Sequence, residues 1–193
     1  GLYEAFFADQ DKFQELYEKY ERARSIRKKT LPALEVFQSL LTVRKDTGRI
    51  YVMNVDHAND HGPFKAEEAP IRMSNLCCEI DLPTKPLQSY DDPDGEISLC
   101  TLSAINWGLI NHPNEFEKYC DLAVRSLDEL LDYQDYPIKA AERSTMNRRP
   151  LGIGIINLAY FLAKRGMKYD ESAFEEVDKY AEAWSYYLIK ASA

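Results

Sequence analysis

The chain has 193 residues, 45% hydrophobic and 29% charged, which suits one folded domain with a real core and excludes a disordered or collagen-like class. With 32 acidic residues against 24 basic, the net charge of −8 argues against a nucleic-acid-coating surface and against an anionic membrane as partner. No run of about 18 apolar residues and no secretory leader is present, and four cysteines are too few for a disulfide scaffold, so the expected location is cytoplasmic.

In chain order, Phe13, Leu16, Tyr17 and Tyr20 recur at three and four and predict an amphipathic helix over about residues 8–22. The basic run 22–29 lacks the interleaved aromatic residues of a nucleic-acid groove and reads as a solvated face. Pro32 suits a first turn, and Ala33, Val36, Phe37, Leu40 and Leu41 give a second helix its stripe, ended at Thr47-Gly48. Residues 49–55, rich in β-branched and aromatic types, predict a strand. A polar loop is expected over 56–70. His57 and His61 there have the zinc-like spacing of four, but Gly62-Pro63 is expected to deny them a common helical face, leaving loop histidines.

Residues 83–95 form a turn-rich insert whose Asp91-Asp92-Pro93-Asp94-Gly95 reads as a surface turn, since the downstream glutamate of a calcium loop is missing. A second strand is expected over 96–101, carrying Cys100, with 102–107 extended beyond it. Pro113 and Asn114 open a helix over 115–132 with Cys120 on its buried stripe. Residues 133–137 are turn-like, residues 143–149 bring three arginines around Met146, and 151–156 predict a strand. Its Gly152-Ile153-Gly154 lacks the third glycine of a dinucleotide fingerprint. Helices over 158–164 and 172–191 close the series, with no internal repeat or linker. Gly1 is not an initiator Met and no stop signal precedes Ala193, so a piece of a longer chain is expected.

The chemistry concentrates in Ser74-Asn75-Leu76-Cys77-Cys78-Glu79-Ile80. Pro70 and Pro83 argue against a continuous helix, and in an extended segment Asn75, Cys77 and Glu79 share one face, the outer two roughly 13 Å apart. Leu76, Cys78 and Ile80 then face a core. A strand or finger loop of this kind offers a hydrogen-bonding amide, a base and a sulfur reactant to one small molecule. Cys100, in a neighbouring strand, is a candidate to lie across from Cys77. The bland alternative is a buried structural cysteine beside satisfied polar groups. No histidine is placed with a nucleophile, and adjacent Cys77 and Cys78 lack the two-residue gap of a zinc site.

Asn75-Leu76-Cys77-x-Glu79-Ile80, followed 23 residues after Cys77 by Cys100 within Ser98-Leu99-Cys100-Thr101-Leu102-Ser103, resembles the catalytic core of the large subunit of class I ribonucleoside-diphosphate reductase. Residues 1–10, 47–51, 54–57, 82–87, 131–137 and 148–156 also resemble bacterial and phage members, so the likeness spans the chain. The resemblance implies an α/β fold, part of a ten-stranded α/β barrel with the radical cysteine on an internal finger loop, and no complete second domain. It implies that Cys77 becomes a thiyl radical and takes the 3′ hydrogen of the ribose, that Glu79 is the base on the 3′ hydroxyl, and that Asn75 orients the sugar. Ser74 joins these three in binding substrate, and Cys100 is half of a dithiol that reduces the 2′ position and ends as a disulfide.

The same resemblance implies a ribonucleoside diphosphate substrate, a small metal-containing subunit that supplies the radical, thioredoxin or glutaredoxin as reductant, and a homodimeric parent. The other dithiol cysteine, the effector sites for ATP and deoxynucleotides, the substrate-phosphate loop and the radical-relay tyrosines fall in parts of the family's sequence absent here. No metal or cofactor is expected on this chain directly. A degenerate or split piece acting only as an assembly module is the alternative expectation.

Overall fold

The computed structural model describes residues 1–193, the side chain of Ala8 excepted. The chain divides into two compact units, Gly1–Pro83 and Thr84–Ala193.

The first unit opens with α1 (Leu2–Ala8), ahead of any helix the sequence predicts, and after a break continues with α2 (Gln10–Arg22), the helix expected over about 8–22. Asp9 causes the break. Its backbone is extended at φ −164°, and its carboxylate accepts the Lys12 N–H, so it ends one helix and caps the next. The third helix, α3 (Ala33–Thr47), ends where expected, at Gly48 with φ +64°, a conformation that costs glycine least.

Residues 49–54 form no strand, contrary to expectation. β-branched composition stabilises a strand through cross-strand neighbours, and no described segment pairs with this one. The chain turns instead into α4 (Val55–His61), a helix where a loop is expected. Gly62-Pro63 ends that helix just past His61 rather than preventing it, so His57 and His61 do share a face, their rings 5.9 Å apart. No group of three or more metal-ligating side chains forms among the described residues. From α4 the Asn59 amide reaches Ile71, donating to its carbonyl and accepting its N–H, both at 2.8 Å. Ile71 is buried, which anchors the chain three residues before Ser74.

The second unit is built on two parallel strands, β1 (Thr101–Asn106) and β2 (Leu151–Ile156), in register from Thr101 with Leu151 to Asn106 with Ile156. Parallel pairing requires a long crossover. It is supplied by α5 (Phe116–Tyr133) and α6 (Lys139–Arg148), and α7 (Leu158–Lys164) and α8 (Phe174–Ser192) follow β2. A Cβ on Gly152 would stand 2.5 Å from Leu102 Cδ2, so the side chain of the neighbouring strand occupies the space this glycine leaves. The strand expected over 96–101 begins only at Thr101; residues 96–100 contribute one antiparallel bridge, Lys85 with Glu96.

The core of this unit is aromatic. Trp107, Phe116, Phe161 and Tyr180 are at most 2% exposed and their rings lie 4.8 to 6.1 Å apart, largely edge to face. The Arg165 guanidinium stacks 3.8 Å over Phe161 and donates to the Ile110 carbonyl. Cys120 on α5 is fully buried, and that burial pushes its thiol up to about 11. The fold is mixed helix and strand with a two-stranded sheet among the described residues, and no helix is long and apolar enough to cross a membrane.

Candidate active site

The stretch 74–81 is a closed loop, not an alternating strand. Ser74 and Asp81 form an antiparallel bridge at its base. Inside it, the Asn75 N–H donates to the Ile80 carbonyl at 3.1 Å and the Cys78 N–H to the Asn75 carbonyl at 3.2 Å, leaving Leu76 and Cys77 as the two central residues of a tight turn. Cys78 takes the left-handed conformation, φ +63°, that lets the chain return.

One side chain does most of the bracing. Asn75 Oδ1 accepts the backbone N–H groups of both Glu79 and Ile80 at 3.1 Å, while its Nδ2 donates to Glu79 Oε1 at 2.6 Å. An asparagine side chain that satisfies local backbone competes directly with a strand ladder. The expected alternation is therefore corrected. Glu79 does not lie far along a strand from Asn75; the turn brings their side chains into contact. Leu76 is 90% exposed rather than buried, and Cys78 is only half-buried. Cys77 is exposed at the turn, between Asn75 and Glu79 in the chain, whose amide and carboxylate are hydrogen-bonded to each other. Ser74 is half-buried, its hydroxyl donating to the Asn75 carbonyl at 3.0 Å.

Cys100 belongs to the second unit, half-buried and immediately before β1. The acidic turn upstream is a self-contained structure. Asp92 accepts the backbone N–H groups of Gln88, Asp94 and Gly95 at 2.7 to 2.9 Å, and these bonds hold its carboxyl below the ordinary value. Arg143 on α6 donates to the Asp92 and Gly95 carbonyls. Glu96 is 4% exposed and paired with Arg148 at 2.5 Å and Lys85 at 3.4 Å.

Sequence reasoning missed Asn59, Glu96 and Arg148. The first sits in a polar stretch that carries no periodic signal. Arg148 lies within the arginine-rich run 143–149 that the sequence shows, but nothing there pairs it with Glu96, a single acid at the start of an expected strand.

The loop thus presents an exposed thiol two residues from each member of a hydrogen-bonded amide–carboxylate pair, on a backbone closed at its base. The chain belongs to the ribonucleotide reductase barrel-domain family, whose profile matches residues 2–193. It is 61% identical over its whole length to the ribonucleoside-diphosphate reductase subunit alpha of Haemophilus influenzae, of which it covers 26%. It is 58% identical to the ribonucleoside-diphosphate reductase 1 subunit alpha of Escherichia coli, also over its whole length, and covers 25% of it. With the subunit alpha of Enterobacteria phage T4 it shares 45% identity over 99% of its own length and again 25% of the relative's. The chain thus spans about a quarter of the curated relatives it matches.

Proposed function

We propose that the chain is the part of a ribonucleoside-diphosphate reductase large subunit that carries the radical cysteine. The supporting observation is the loop 74–81, which leaves Cys77 exposed while Asn75 holds the Glu79 carboxylate at 2.6 Å. In this reading the Cys77 thiyl removes the 3′ hydrogen, Glu79 takes the 3′ hydroxyl proton, and Asn75 and Ser74 hold the sugar. Cys100 and a second thiol outside this chain then lose two electrons and two protons to form one S–S bond. The C2′ hydroxyl leaves as water and a C–H bond takes its place.

The ten-stranded barrel, with β1 and β2 as two of its strands, belongs to the same proposal. So do a radical-supplying small subunit, a thioredoxin-type reductant, effector sites on other segments, a homodimeric parent and a cytoplasmic location. None of these is assigned to a residue here.

The test is Cys77→Ser in the intact large subunit with its radical-supplying partner. Deoxynucleotide formation is expected to vanish while substrate affinity stays within about twofold, as for a group that acts in the chemical step alone. A variant that still makes deoxynucleotide overturns the proposal.

A further inference from the structure

Buried charge that the proposed chemistry does not use lies along one face of α6. Ala140, Ser144 and Arg148 stand four residues apart and so project together. The Ala140 carbonyl accepts the Ile97 N–H at 3.2 Å, the Ser144 hydroxyl lies 3.3 Å from that of Ser98, and Arg148 Nη1 lies 2.5 Å from Glu96 Oε2. One helical face thereby grips residues 96–98, just short of Cys100. On the far side of Cys100, Thr101 pairs with Leu151. The backbone that carries Cys100 is therefore closed between two anchors, α6 on one side and β2 on the other, and the Glu96–Arg148 pair and the Thr101–Leu151 pair end within the short run 148–151.

The rest of that run is fixed as well. Arg149, in the left-handed conformation after α6, grips Asp128 at 2.6 Å and Asp132 at 2.9 Å on α5. A carboxylate as buried as Glu96 is strongly unfavourable unless paired, and a buried pair adds little net stability over an apolar replacement. In some proteins such a pair serves to fix geometry rather than to add stability.

Resting on the reading of Cys100 as half of the reducing dithiol, we propose that Glu96 and Arg148 are a positioning pair that sets where the Cys100 sulfur meets the C2′ position and its partner thiol. Glu96→Gln in the intact subunit keeps size and a hydrogen-bond acceptor but removes the charge. Single-turnover deoxynucleotide formation is expected to fall roughly 10- to 100-fold, the scale at which a misplacement of about 1 Å acts. Tritium release from 3′-tritiated substrate, which reports Cys77, is expected to stay within about twofold. Arg148→Lys, which keeps the charge but loses the planar fork, should fall less than Arg148→Met.

Equal loss in both readouts, or wild-type reduction by Glu96→Gln, overturns the positioning role. If Glu96→Gln fails to fold, Arg148→Met gives the same two readouts with the same consequences. Cys100→Ser separates the two levels. If it reduces substrate as the wild type does, the dithiol reading fails and the positioning role with it; if it is dead while Glu96→Gln is normal, only the positioning role fails.

Discussion

Asn75 braces its loop and, in the proposed chemistry, also orients the sugar. It satisfies two backbone donors and orients a carboxylate, so Asn75→Ala removes three hydrogen bonds from a loop that has little apolar packing. At roughly 1 kcal/mol per bond, the intact subunit should melt lower and lose turnover together, measurable by thermal unfolding and kcat. Cys78 offers a contrasting case. Its φ of +63° makes Cys78→Gly neutral or slightly stabilising, whereas the β-branched Cys78→Val should cost about 1–2 kcal/mol in chemical denaturation. Asp132 gives a pH prediction. The hydrogen bonds from Arg149 lower its carboxyl in the folded state, so the stability it contributes is complete above the unfolded value of about 3.9 and is lost as pH falls through the lower folded value. Asp132→Asn should flatten the acid limb of unfolding free energy against pH and leave the slope above pH ~5 unchanged.

Among the elements, those with an apolar stripe were legible and those without one were not. Periodicity marks α2, α3 and α5, and Gly48 and Pro113 sit at their expected punctuation points. The helix α6 was invisible because its buried face is Ala140, Ala141, Ser144 and Thr145, small or polar residues that leave no hydrophobic signal. Residues 49–54 show the opposite failure, a strong strand composition with nothing to pair against. The spacing of Asn75, Cys77 and Glu79 drew attention to the right stretch. Its geometry was not legible, because alternation assumes a passive side chain and Asn75 folds the backbone onto itself. The aromatic core can be probed at α7. Phe161→Ala should cost about 3–5 kcal/mol, read from denaturant midpoints of the intact subunit, since Phe161 is fully buried against Trp107 and Tyr180 and carries Arg165 on its face.

At the scale of the whole molecule, apolar surface is abundant. Leu102, Ile155 and Ile156 on the two strands are exposed, and α3 buries no residue although it shows Leu34, Val36, Phe37 and Leu41 to solvent. A two-stranded sheet also presents unpaired edges. Expressed by itself, the chain should therefore bind a hydrophobic dye and scatter light at micromolar concentration, and the intact subunit should not. The crossover between the strands adds a constraint of time. Thr101 waits for Leu151 about 50 residues further on. At about 5–20 residues per second, a ribosome leaves β1 without its partner for roughly 2–10 s. Within that interval α5 and α6 are made while β1 still lacks its neighbour, so nascent chains are most vulnerable to wrong pairing after β1 emerges and before β2 does.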